Sequence, residues 1–143
     1  MHAFLVLAAT TLNLPVTIGV SAINELSIQG SAPLLVITNP IIGPNTVTSN
    51  SSTYSITTNG DNKKIVASLD SSLSSDLSLV VSLQAPSGAQ SVGDVFLSSQ
   101  NATLVTNISR VAQSALQITY TFSSSNNSLA GTYSKTVRFT LTD

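Results

Sequence analysis

The chain has no cysteine and no tryptophan, one histidine, and few charges. Without cysteine there is no disulfide framework and no thiolate metal site. The single histidine, His2, sits at the extreme N-terminus, so a Ser–His–Asp triad or a histidine-based zinc site has nothing to be built from. Charged residues make up 8% of the chain, against about 25% in ordinary soluble proteins. The five cations, Lys63, Lys64, Arg110, Lys135 and Arg138, form no dense basic patch. Nucleic acid is therefore not an expected partner, because phosphate neutralisation needs clustered cations. No apolar run reaches the roughly 20 residues of a membrane-spanning helix, so no membrane span is expected.

Serine (25) and threonine (17) fill the space that charge leaves, and the surface should be neutral and rich in hydroxyls. The apolar fraction is 42%, too high for composition-driven disorder. At 143 residues the chain suits one domain with a proper core.

Apolar residues alternate along most of the chain. The longest case is at residues 10–22, where Leu12, Leu14, Val16, Ile18, Val20 and Ala22 take the even positions and polar or small residues the odd ones. Period two marks a strand with one buried face. Extended at roughly 3.3 Å per residue, thirteen residues span about 43 Å, where an ordinary strand has about five or six. Residues 4–9 resemble the end of a signal-peptide h-region, and Val20-Ser21-Ala22 resembles a small-residue cleavage site. No Lys or Arg precedes that run, and period two is wrong for a helical h-region. Residues 1–22 are thus expected to be an apolar N-terminal segment with an alternating strand, 1–9 being at most a signal remnant. Residues 23–143 are expected to form the folded domain.

Further strands are expected over 24–28, 53–58, 63–69, 77–83, 94–98, 102–108, 116–122 and 133–142. Residues 33–38 are nearly all apolar and predict a central strand covered on both faces. Asn59-Gly60-Asp61-Asn62 predicts a hairpin turn joining 53–58 to 63–69. Residues 71–76 read as a serine-rich loop with room for one helical turn. In the last strand Tyr133, Val137, Phe139 and Leu141 should point inward, with Lys135 at the rim. No useful window carries an apolar stripe at helical spacing. Eight to ten strands imply an all-β fold, an antiparallel immunoglobulin-like β-sandwich with an extended N-terminal strand.

Little points to chemistry. The acids are Glu25, Asp61, Asp70, Asp76, Asp94 and Asp143, and none falls in a motif. Asp70 and Asp76 flank the serine-rich loop, but their spacing is not that of an EF-hand, so they read as solvated loop acids. There is no glycine-rich phosphate loop and no nucleophile elbow. No enzyme activity, no cofactor and no metal are expected. Asn50, Asn101, Asn107 and Asn126 each open an Asn-x-Ser/Thr sequon and are candidate glycosylation sites, with Asn50 and Asn126 placed in loops.

Residues 129–142, LAGTYSKTVRFTLT, resemble the final strand of spore-coat-U-like and other pilin-like secreted domains. The opening is similar too: an alternating Thr/Val-rich strand leads into Ala22-Ile23-Asn24-Glu25-Leu26-Ser27-Ile28 and then a glycine. The matching parts cover about a third of the chain. The resemblance implies an exported β-sandwich related to fimbrial subunits, in which an N-terminal strand completes a neighbour's sheet. The chain departs from that pattern in lacking cysteines and in carrying Lys135 where an acid is frequent. The expected role is a structural subunit of an extracellular filament or surface layer. Its partner would be itself, with Leu12, Leu14, Val16, Ile18 and Val20 as the donated face. The alternative is a monomeric secreted adhesion or carbohydrate-binding module whose N-terminal strand folds back onto its own sheet.

Overall fold

The computed structural model describes residues 9–37, 44–125 and 131–143. Among them are nine strands: β1 (Asn24–Gly30), β2 (Asn45–Thr58), β3 (Lys63–Leu69), β4 (Leu77–Leu83), β5 (Gln90–Ser91), β6 (Val95–Phe96), β7 (Ala102–Ile108), β8 (Val111–Ser124) and β9 (Val137–Thr142). They form two antiparallel sheets, a five-stranded one ordered β1-β2-β8-β4-β6 and a four-stranded one ordered β5-β7-β3-β9. The all-β, two-sheet sandwich expected from the alternation is present, with no helix among the described residues.

Alternation places the core. Tyr54 and Ile56 of β2, Leu79, Val81 and Leu83 of β4, and Leu116, Ile118 and Tyr120 of β8 point from the first sheet. Ile65, Ala67 and Leu69 of β3 meet them from the second, with Leu104, Val105 and Ile108 of β7. The Tyr54 hydroxyl donates to the Gln84 carbonyl, so its ring packs while its polar tip is satisfied. Among the described residues no buried side-chain polar atom lacks a partner.

The long strands β2 and β8 pair along their whole length, with two irregularities. Between Ser49 and Ser52, β2 carries one extra residue. The Gln117 side chain answers it: Nε2 donates to the carbonyls of Asn50 (2.6 Å), Ser52 (3.0 Å) and Ile118 (3.1 Å). Carbonyls that an irregular ladder leaves open are thereby satisfied. Opposite Tyr54–Ile56 the extra residue lies on β8, where Ala115 adopts φ 58°.

Four expectations need correction. Residues 33–37 form no strand, and only Pro33, Leu35 and Ile37 are half-buried, while Leu34 and Val36 are exposed. A continuous apolar run here serves a segment covered on one side only. The Asn59–Asn62 turn is not a hairpin, because β2 and β3 lie in different sheets, so it crosses the sandwich. Residues 71–76 form a loop with a turn at 75–76 and no helical turn. Tyr133 precedes β9 and is 45% exposed rather than inward.

Candidate functional site

The segment singled out by its alternation has no ladder within this chain. Residues 9–22 carry no strand pairing and are exposed throughout. Leu12 is 90% exposed, Leu14 84%, Val16 70%, Ile18 86% and Val20 85%. Apolar side chains at these levels are costly in water, at about 25 cal/mol per Å² left uncovered. The segment is tethered only where it joins the body. Asn59 Nδ2 donates to Ser21 O (2.9 Å), Ile23 N–H donates to Asn59 Oδ1 (2.8 Å), and Asn59 N–H donates to Ile23 O (3.2 Å).

A second unusual feature lies at the other end of the sandwich. A cleft of about 850 Å³ opens between residues 30–37 on one side and residues 131–139 on the other. Leu77 and Leu79 of β4 and Tyr120 and Phe122 of β8, on the inner face of the first sheet, complete it. Sequence reasoning missed this cleft. Its walls are about a hundred residues apart in the chain, and the only local sign is the alternation of Pro33, Leu35 and Ile37.

Gly30 makes the wall possible. It ends β1 with φ 92°, and a Cβ there would collide with Ser51 O. The next residue is held to β2, where Ser52 Oγ donates to Ser31 O at 2.8 Å. The opposite wall is pinned by Asp70, whose Oδ1 accepts from Thr136 N–H (3.1 Å) and Ser71 N–H (3.0 Å). Lys135 sits at the rim as expected, but its ammonium is engaged: Nζ donates to Ser71 Oγ (2.7 Å) and Ser72 O (3.3 Å). Burial pushes the hydroxyl pKa of Tyr120 above its ordinary value, and that of Tyr54 further still. The cleft is lined by apolar side chains, by hydroxyls and by Lys135, with no carboxylate among its described lining residues.

β9 forms one edge of its sheet, pairing with β3 alone. Val137, Phe139 and Leu141 are half-buried, and Val137 and Phe139 reach the cleft. The remaining sheet edges are β1, β5 and β6, of which β5 and β6 have two residues each.

The acids do not converge. Asp61 pairs with Arg110 at 2.9 Å on the open surface, and Asp143 pairs with Lys63. Among the described residues no three of His, Cys, Asp and Glu come together to hold a metal ion. No helix among them is long and apolar enough to cross a membrane.

The sequons are scattered. Asn50 is exposed but lies in the β2 irregularity rather than in a loop. Asn101 is exposed just before β7. Asn107 is exposed within β7 at φ 58°, with Nδ2 donating to Gln90 Oε1 (3.1 Å). Asn126 lies outside the described residues. Comparison with protein-family models, with curated proteins and with solved structures gave no match.

Proposed function

We propose that this chain is a structural subunit of an extracellular filament or surface layer, and that it assembles by β-strand addition. Residues 10–22 of one copy complete the sheet of the next. The observation that carries this is the exposure of five apolar side chains at strictly alternating positions, on a segment with no ladder of its own. Burying Leu12, Leu14, Val16, Ile18 and Val20 at about 1.5–3 kcal/mol each is worth roughly 8–15 kcal/mol before ordering costs. Head-to-tail contacts of this kind propagate into a filament when the rotation between subunits does not close.

The low charge suits close packing of many identical copies. The resemblance of residues 129–142 to pilin-like secreted domains agrees with export and with a role in a fibre, and the role involves no catalysis. In a glycosylating host, Asn50, Asn101 and Asn107 offer exposed acceptors, and Asn126 is a fourth sequon.

Negative-stain imaging of protein purified without denaturant tests the assembly. Filaments or sheets are the expected result. Uniform monomers with residues 10–22 intact would overturn it and favour a monomeric adhesion or carbohydrate-binding module.

A further inference from the structure

We propose that Asn59 is a deamidation site controlled by residues 21–23. Docked against the body, those residues withhold its amide from reaction. Once they leave, the amide is converted to a carboxylate that holds them less well.

The sequence supplies a single reactive pair. Of 11 asparagines, only Asn59 is followed by glycine. Asparagine is among the thermolabile residues, and Gly60 has no Cβ to obstruct attack by its own nitrogen. Asn59 is exposed to solvent, and water is the one co-reactant needed. The Gly60 backbone nitrogen gives up its proton and attacks Asn59 Cγ. An N–Cγ bond forms, the Cγ–Nδ2 bond breaks, and Nδ2 leaves as ammonia with the proton that Gly60 released. Water then opens the cyclic imide at one of its two carbonyls. The product is aspartate in the ordinary backbone, or isoaspartate with the chain running through Cγ. Nothing is oxidised or reduced.

Both reacting groups are held in the folded chain. Asn59 Oδ1 accepts from Ile23 N–H (2.8 Å), and Nδ2 donates to Ser21 O (2.9 Å). The attacking nitrogen is occupied as well. Gly60 N–H donates to Thr58 Oγ1 (3.0 Å), and that hydroxyl donates to Asn24 Oδ1 (2.7 Å) at the start of β1. Gly60 O accepts from Arg110 N–H (2.9 Å). Cyclisation therefore has to break the amide's bonds to residues 21–23 and the bond from Gly60 to Thr58.

The partners of the amide lie in one short stretch. Residues 9–22 carry no strand pairing, and β1 begins at Asn24. Release of residues 21–23 thus breaks their three bonds to Asn59 and no ladder. Conversion then changes what the body offers on their return. A carboxylate accepts hydrogen bonds and donates none. One oxygen still suits Ile23 N–H, but the other faces Ser21 O with no proton between them. Isoaspartate also lengthens the backbone by one carbon. Docking protects the amide and conversion weakens docking, so the tether fails in one direction only. This holds whether or not the segment is donated to a second copy.

Peptide mapping by mass spectrometry, with isoaspartate detected separately, follows residue 59 of the full chain in mildly alkaline buffer. Wild type is compared with wild type unfolded in urea and with Ile23→Pro, which lacks the N–H that holds Oδ1. Two hydrogen bonds of ordinary net strength are worth about tenfold in the population of a released side chain. Folded wild type should therefore convert about tenfold more slowly than the unfolded chain, and Ile23→Pro should recover most of that difference. Circular dichroism shows whether the variant is folded. If it is not, Thr58→Val, which removes the acceptor of Gly60 N–H, takes its place. Asn59→Asp should speed hydrogen exchange at the Ile23 amide and protease cleavage within residues 19–23. No conversion in urea would overturn the site. Equal rates in folded wild type and the folded variant would overturn its control by residues 21–23. Protection in Asn59→Asp equal to wild type would overturn the weakening of the tether.

Discussion

Asn59 and Ile23 hold each other through two hydrogen bonds: Asn59 N–H donates to Ile23 O at 3.2 Å, and Ile23 N–H donates to Asn59 Oδ1 at 2.8 Å. With the third bond, from Nδ2 to Ser21 O, one asparagine side chain marks where the free segment begins. Asn59→Ala should cost no more than about 1 kcal/mol of global stability, because the bonds it removes are exposed. It should nonetheless speed hydrogen exchange at the Ile23 amide and expose residues 19–23 to limited proteolysis. Unchanged protection at Ile23 would show that the body fixes this point in another way.

Core and free segment should respond to truncation in opposite ways. Ile118 is fully buried and Leu12 is 90% exposed. In an Ile18→Asp background, Ile118→Ala should lose about 2–5 kcal/mol in urea unfolding. Leu12→Ala in the same background should stay within about 0.5 kcal/mol. A comparable loss at Leu12 would mean that the segment packs on its own body in solution.

Alkali should destabilise the fold through its buried tyrosines. Burial raises the pKa of Tyr54 above the ordinary 10.0, and that of Tyr120 in the same direction. The folded state therefore holds protons that the unfolded chain has released. The stabilising effect is complete below about pH 10 and fades as pH climbs from there toward the folded pKa. The slope is about 1.4 kcal/mol per pH unit for each such tyrosine. Tyr54→Phe should reduce that slope and also lose about 1 kcal/mol at neutral pH, with the hydrogen bond to Gln84 O. Urea titrations from pH 8 to 11.5 measure both effects.

Gly30 and Gly88 both have positive φ, 92° and 80°, but different surroundings. At Gly30 an added Cβ collides with Ser51 O, and at Gly88 it meets nothing within 4 Å. Gly88→Ala should cost about 1–2 kcal/mol of backbone strain. Gly30→Ala should cost clearly more, and should disturb the wall formed by residues 31–37. Equal losses in thermal unfolding would contradict the close approach to Ser51.

The alternation in Leu77, Leu79, Val81 and Leu83 made β4 legible outright, because one apolar face on one sheet produces period two. The first half of β2 was not legible. From Asn45 to Ser51 it has one apolar residue, Val47, and is held by its ladder to β8 rather than by burial. Asn59-Gly60 signals a turn, but turn chemistry fixes a local reversal and not the sheet that receives the next strand. Residues 33–38 misled because apolar content alone does not say how many faces are covered. The candidate site divides the same way. The alternation from Leu12 to Val20 is written in the sequence, whereas the cleft arises only when residues 30–37 and 131–139 are brought side by side.

The tether of residues 9–22 beside Asn59, at one end of the sandwich, would give an assembly formed by the proposed strand addition a built-in asymmetry. In a fibre built that way, one tip would carry an uncompleted sheet and the other a bare strand, and the two tips would differ chemically. Growth at each tip can then be arrested by a different agent. A subunit with a spoiled segment would cap one tip, and a subunit with a blocked acceptor edge would cap the other. Fibre length becomes a matter of stoichiometry, and a cell could set it by supplying a small amount of either kind of terminator.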